Sequence, residues 1–247
     1  MINYSGLLAV AFFLICNLSF SQVKDSSESS LSGSFSSSGL YQSGNTNKFL
    51  IQGKGEIKRV NDKLETILFV HGSYGESKNK KDDNSYSGSL TADLNYQKEF
   101  SPFALQNLEY NFSKGIDLRS QSGAGLKYLF LPEANHKSSV SIAIIYDYLN
   151  LADKPGNSKS KEIRFSFRVK SKQELIDKRL IFYFMIIYQP VINNFSKANC
   201  YVESNLETPV TKILLLNANY NYGFDNVVSV GRKRADNKLT FGIKVLF

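Results

Sequence analysis

Few residues of this chain carry the side chains on which most enzymes depend. Its two histidines are His71 and His136, and no GxSxG, HExxH or P-loop pattern occurs. His71 stands two positions before Ser73, so a histidine–serine pair beside an acidic residue is one conceivable hydrolytic site. A histidine at the rim of a barrel is more often only solvated. We therefore expect no catalytic residue, no metal site and no cofactor.

Charged residues recur at alternating positions, and they are the strongest candidates for function. Neighbours two apart share one face of a strand, so this spacing predicts a single polar, charged face. If this face lines a lumen, the positive and negative side chains could pair and close the interior, or they could form charged rings that select ions. The candidate lumen charges are Glu109, Arg119, Arg164, Arg168 and Glu203.

A second group of charged residues falls in predicted loops. Lys80, Lys81, Arg232 and Arg234 would face outward together, where the phosphates of lipopolysaccharide could pair with them. The alternative is an unspecific basic surface, because the formal net charge is +8 and lysines also occur in the opposite turns. These charges are spread along the chain and do not form one basic patch, so we expect no nucleic-acid partner.

The elements that must position these residues are β-strands. Apolar and polar residues alternate over segments of about ten positions, which Gly, Asn, Asp, Pro or Lys clusters interrupt. In the last segment, Leu239, Phe241, Ile243, Val245 and Phe247 form one face. The pattern predicts about twelve strands, at residues 29–41, 47–60, 64–76, 85–98, 103–113, 116–130, 138–150, 160–171, 179–189, 198–207, 211–224 and 237–247.

Alternation alone does not say which face meets water, because a soluble β-sandwich has the same period. Three features favour a membrane barrel. Connections at 77–84, 151–158 and 225–236 are long and fall on one side, tyrosines cluster near strand ends, and the chain ends on Phe247 in an alternating strand. Such an ending resembles the signal read by the barrel-assembly machinery. We predict an all-β, antiparallel, up-and-down transmembrane β-barrel, a closed meander with its apolar face toward outer-membrane lipid.

The first residues are expected to be removed on export. An uncharged apolar run from Leu7 to Phe20 has the length of a signal peptide, and small residues and Gln22 follow it. We predict a cleaved signal peptide over residues 1–21 and a barrel domain over residues 22–247. The predicted location is the outer membrane of a Gram-negative cell.

Three segments carry a resemblance to a known family. They are residues 42–47 (QSGNTN), 188–190 (YQP) and 231–242 (GRKRADNKLTFG). In their order and spacing they resemble a domain-of-unknown-function family labelled salt-induced outer membrane protein. The resemblance implies an outer-membrane β-barrel without an established catalytic activity, and it supplies no catalytic residue.

Three functions follow from these observations. We expect a non-enzymatic barrel that serves as a structural protein or a narrow polar pore, with a link to salt or envelope stress. The first alternative is a secreted periplasmic β-sandwich that binds a lipid or another ligand. The second alternative is an outer-membrane barrel enzyme.

Overall fold

The structure is a computed structural model of the chain, and it describes residues 29–42, 48–78, 80–133, 135–152 and 159–247. The predicted signal peptide at residues 1–21 lies outside the described residues. So do most of the QSGNTN segment and most of the predicted connection at 151–158.

The described residues form twelve strands, which confirms the all-β prediction. Across these residues, no helix has both the length and the apolar character needed to cross a membrane. The strands are β1 Ser30–Gln42, β2 Lys48–Val60, β3 Leu64–Ser77, β4 Lys80–Leu94, β5 Phe100–Asn111, β6 Ile116–Pro132, β7 His136–Leu151, β8 Lys159–Leu175, β9 Leu180–Val191, β10 Asn194–Pro209, β11 Leu214–Phe224 and β12 Ala235–Leu246.

Each strand pairs antiparallel with its neighbours in the sequence, and β1 pairs with β12 to close the barrel. Closure leaves no sheet edge with unpaired backbone groups, which is what a lipid environment requires. Phe247 takes part in this closure. Its backbone N–H donates to Gly33 O at 3.0 Å, and its own carbonyl accepts from Gly33 N at 2.8 Å.

The two faces of the barrel wall have the orientation that the alternating pattern predicts. Apolar side chains on the outer face are left exposed, among them Leu90, Ile144, Leu216 and Phe241. The intervening residues face the lumen and include most of the charged side chains of the strands. A band of exposed apolar residues around a closed barrel with a polar interior is the surface of a transmembrane barrel.

Aromatic residues flank this apolar band at both ends. At one end Tyr86, Tyr146 and Tyr188 are exposed on the outer face. At the other, the rings of Phe100 and Tyr128 stack with their centroids 4.9 Å apart. Amphipathic rings in these positions suit the two membrane–water interfaces.

The two ends of the barrel differ in their connections. The turn end holds Phe247 and five short connections between strands, at residues 61–63, 95–99, 133–135, 176–179 and 210–213. The loop end holds the connection of residues 225–234. The predicted loop at 77–84 is wrong, because β3 and β4 continue to Ser77 and Lys80 with a bulge at Gly75 and Glu76. Lys80 and Lys81 therefore lie on a strand at the loop end.

A glycine lets β1 and β12 approach closely at the closing seam. A Cβ added at Gly242 would overlap the backbone oxygen of Ser37 and lie 2.6 Å from Cα of Ser38. Backbone cannot move aside as a flexible side chain can, so we expect Gly242→Ala to destabilise the barrel by about 1 to 3 kcal/mol. The measurement is the temperature at which the folded, fast-migrating form disappears on a gel.

The matched control for this prediction is Gly53→Ala. An added Cβ at Gly53 meets no atom within 4 Å, so this variant should keep the melting temperature of the wild-type barrel. Equal melting temperatures for the two variants would contradict the role assigned to Gly242.

Candidate functional site in the barrel lumen

The connection of residues 225–234, between β11 and β12, folds inward across the loop end. It reaches the turn between β5 and β6, which lies about half-way around the barrel. There the Ser229 N–H donates to Lys114 O at 3.2 Å, and the Ser229 hydroxyl donates to Gly115 O at 2.9 Å. On another side of the mouth, Asn226 N–H donates to Asn199 Oδ1 at 3.1 Å. Loop 225–234 is thus attached to two separate parts of the wall.

An apolar contact supports this attachment. Val227 packs against a buried cluster of Ile116, Leu149 and Leu151, at the loop ends of β6 and β7. Full burial of an aliphatic side chain contributes about 1.5 to 3 kcal/mol. Val227 is partly buried, so its contact favours the inward position of the loop by less than that.

A chain of buried ion pairs lies directly under loop 225–234. Asp225 pairs with Lys114 and accepts from Arg119 Nη1 at 2.8 Å. Arg119 also binds both oxygens of Asp147, at 2.8 and 2.7 Å, and Arg164 Nε donates to the same carboxylate at 2.7 Å. Arg119, Asp147 and Asp225 are each no more than 2% exposed. The network joins β6, β7, β8 and loop 225–234, and it fills the upper lumen with side chains.

The charge state of Asp225 follows from this environment. Burial by itself raises the pKa of its carboxyl group. The positive charges of Arg119 and Lys114 outweigh that effect, and they hold the pKa below the ordinary value of 3.8. Asp225 is therefore ionised at neutral pH and bound to both cations. The Tyr201 hydroxyl also donates a hydrogen bond to Asp225.

Elsewhere in the lumen, most charged side chains form separate pairs between strands. Lys54 Nζ lies 2.6 Å from Glu203 Oε1, and Lys244 Nζ lies 2.8 Å from Glu207 Oε1. The other pairs of this kind are Lys58–Glu65, Lys127–Asp93 and Lys238–Asp83.

Two lumen cations of β8 have no short ion pair of this kind. Arg168 and Lys170 have no carboxylate within 4.0 Å among the residues that the structure describes. The guanidinium carbon of Arg168 lies 5.1 Å from the ring centroid of Phe103, and Lys170 Nζ lies 5.6 Å from the ring centroid of Tyr183. Lys170 is exposed and Arg168 is partly exposed, in contrast to the buried network beneath loop 225–234.

The five predicted lumen charges all face the interior, but they do not pair with one another. Arg119 and Arg164 meet at Asp147, and Glu203 pairs with Lys54 instead of an arginine. Glu109 accepts from Asn111 Nδ2 at 3.2 Å. The sequence reasoning missed Asp147 and Asp225 as partners. Asp147 stands at an inward-facing position of the alternating pattern in β7, so the sequence could have indicated that it faces the lumen. Asp225 lies in a loop, where residues do not alternate between two faces.

The four predicted basic residues at the loop end are all exposed. Lys81 Nζ lies 4.5 Å and the guanidinium carbon of Arg232 lies 5.3 Å from the ring centroid of Phe112, so these two cations converge on one aromatic ring. Lys80 and Arg234 lie on the same end of the barrel.

Within the described residues, no hydrogen bond joins His71 to Ser73, the conceivable hydrolytic pair. The Ser73 hydroxyl donates to Asp83 at 2.9 Å. His136 lies at the opposite, turn end, where its Nδ1 contacts Gln173 Oε1 at 2.5 Å. Within the described part of the chain, no three metal-binding side chains of His, Cys, Asp or Glu come together.

A closed twelve-stranded antiparallel barrel with an apolar outer band defines the protein as an outer-membrane β-barrel in its fold. Residues 36–247 match the family described as "Protein of unknown function, DUF481". The chain belongs to this family. No match was found among curated protein sequences.

Several solved structures are similar to this chain at low sequence identity. The NanC porin is 11% identical with a TM-score of 0.55, over 86% of this chain and 98% of the porin. The KdgM porin, in complex with disordered oligogalacturonate, is 9% identical with a TM-score of 0.47, over 87% of this chain and 99% of that chain. The translocator domain of autotransporter NalP from Neisseria meningitidis is 10% identical with a TM-score of 0.39, over 98% of this chain and 97% of that chain.

Proposed function

We propose that the protein is a narrow, water-filled pore of the outer membrane whose loop end is closed by residues 225–234. In this proposal the loop end faces the cell exterior, and the turn end with Phe247 faces the periplasm, as even-stranded bacterial barrels are arranged. Export by a signal peptide cleaved after residue 21 and the absence of enzymatic activity are parts of the same proposal.

The observation that carries this proposal is that charged side chains remain exposed inside the barrel, away from loop 225–234. Arg119 and Asp225 are buried beneath the loop, whereas Glu56 and Lys170 face the same interior lower down and remain exposed. Exposed charges inside a closed barrel are solvated by lumen water. A water-filled interior with one folded loop across its mouth is the construction of a gated pore.

Planar-bilayer recording tests the pore. We expect unitary current steps from purified, folded protein, with a low open fraction because loop 225–234 is held on both sides of the mouth. Silence from protein that shows heat-modifiable gel migration, and therefore has folded, would refute a pore.

A purely structural barrel is the second candidate, and the ion pairs under the loop favour it. Buried pairs that join three strands and a loop add rigidity to a membrane protein and block permeation. This candidate predicts that no variant of loop 225–234 opens a conductance.

We also propose that the loop end contacts lipopolysaccharide and that the chain is assembled by the barrel-assembly machinery. The convergence of Lys81 and Arg232 on Phe112 supports a phosphate contact, since it places two cations on one rim. The salt-induced label of the resembling family stays a prediction about expression.

Charge reversal tests the lipid contact. Changing Lys80, Lys81, Arg232 and Arg234 to Glu is expected to reduce co-purifying lipopolysaccharide severalfold, because phosphates would then meet carboxylates. The control reverses Lys178 and Arg179, two exposed cations of the turn end. Equal lipopolysaccharide content in the two variants would argue against the contact.

A further inference from the structure

The two unpaired cations of β8 have a simple geometric relation. Arg168 and Lys170 are two positions apart on one strand, so both side chains enter the lumen at neighbouring heights, about 7 Å apart along the strand. They extend toward a part of the interior that solvent reaches, below the buried network of loop 225–234.

The carboxylates around these cations are already bound or are too far away to neutralise them. Asp93 pairs with Lys127, and Glu65 pairs with Lys58. Glu56 faces the same interior and forms no ion pair with any residue that the structure describes. Arg168 and Lys170 thus add two positive charges to the lumen at this height, and Glu56 adds one negative charge.

The aromatic rings under the two cations do not replace an anion. A cation above a ring gains only a weak attraction at a solvated site, and the ring brings no negative charge to neutralise it. The Arg168 guanidinium donates from Nε to the Ser141 hydroxyl at 3.2 Å, and its two terminal NH₂ groups form no hydrogen bond with any residue in the described part of the chain. These groups can bind an oxyanion through two parallel hydrogen bonds, and Lys170 adds a point charge beside them.

We propose that Arg168 and Lys170 form an oxyanion-binding site in the lumen that makes the pore selective for carboxylate- or phosphate-bearing solutes. The selectivity rests on the proposed pore function, whereas the binding site does not. The rings of Phe103 and Tyr183 form the walls beside the cations, so the site suits an anion with a small apolar or sugar-like body. In this proposal solutes reach the site from the turn end, which is opposite to loop 225–234.

Calorimetric titration with citrate and with inorganic phosphate tests the site directly, on the folded full-length mature protein in a zwitterionic detergent. We expect citrate to bind the wild-type barrel and to bind Arg168→Gln/Lys170→Gln at least about tenfold more weakly, because charge-assisted hydrogen bonds are lost. Binding of phosphate alone would define a phosphate site, and binding of citrate alone a carboxylate site.

The control variant removes the same two charges outside the lumen, as Lys178→Gln/Arg179→Gln in the turn between β8 and β9. It should bind both anions as the wild-type barrel does. Equal binding by all three proteins, or binding by none, would overturn the proposed site.

Reversal potentials in a potassium chloride gradient test the selectivity. We expect the wild-type pore to favour chloride and the Arg168→Gln/Lys170→Gln pore to lose that preference. A cation-selective wild-type pore would overturn the selectivity. A barrel that is silent in bilayers but binds citrate through these two residues would refute the pore and retain the binding site.

Discussion

In planar bilayers, Asp225→Asn is expected to stay open for a far larger fraction of the recording than the wild-type protein. The neutral amide cannot satisfy Lys114 and Arg119, which Asp225 binds beneath loop 225–234. Breaking a buried ion pair costs about 3 to 5 kcal/mol. Lys114 and Arg119 regain contact with water when loop 225–234 moves away, so this free-energy cost destabilises the closed state and not the open one. It lowers the ratio of closed to open barrels by roughly a hundredfold or more.

The control for this prediction is Asp236→Asn. The Asp236 carboxylate lies 3.9 Å from Lys114 Nζ and its side chain is 36% exposed, so water already competes for the contact. This variant should close as the wild-type protein does. If Asp225→Asn had the open fraction of the wild-type protein, the ion pairs would not be what holds the loop.

Acidification should act on the same contact. The folded pKa of Asp225 lies below its ordinary value of 3.8, so its contribution to closure is complete above that value and is lost as the pH falls through the folded pKa. We expect the wild-type pore to stay closed at neutral pH and to open only in stronger acid. The open fraction of Asp225→Asn should not respond to pH through this group.

The Arg119→Met variant is expected to lose about 3 to 5 kcal/mol of unfolding free energy. Arg119 is 2% exposed and neutralises Asp147 and Asp225 together, so its removal leaves both buried carboxylates short of a partner. Urea unfolding in lipid vesicles, followed by far-ultraviolet circular dichroism because the chain has no tryptophan, measures the loss.

Two further variants make this prediction specific. Lys172→Met removes a cation that is 48% exposed and 3.1 Å from Glu174, and it should cost less than about 1 kcal/mol. The double variant Arg119→Met/Asp225→Asn also removes one of the two carboxylates that lose Arg119 as a partner. It should recover part of the lost unfolding free energy. Equal losses for Arg119→Met and Lys172→Met would show that the network does not stabilise the barrel.

Most of the strands could be predicted because a membrane barrel imposes a period of two on its sequence. Lipid on one face and water on the other require Leu239, Phe241 and Ile243 to share one side, and the structure confirms this arrangement. The prediction was wrong at residues 77–84, where β4 begins at Lys80. Where a strand extends beyond the apolar band its outer face no longer meets lipid, so the Lys-, Asp- and Asn-rich start of β4 carries no apolar alternation.

The candidate site could be predicted only in part. The alternation of inward and outward positions along each strand sufficed to place Arg119, Arg164 and Arg168 in the lumen. It could not show that Arg119 binds Asp225, 106 positions further along, because that contact depends on a loop that folds back into the barrel. It also could not separate Arg168, which has no carboxylate partner among the described residues, from the arginines that have one.

The sequence by itself determined the class of the protein: a β-barrel with a lipid-facing surface and a charged interior, because the side-chain period depends only on residue order. The tertiary structure alone decided which interior charges neutralise each other and which still face water. Those outcomes depend on the heights at which twelve strands meet across the lumen and on the inward path of residues 225–234, and no local pattern of residues encodes either one.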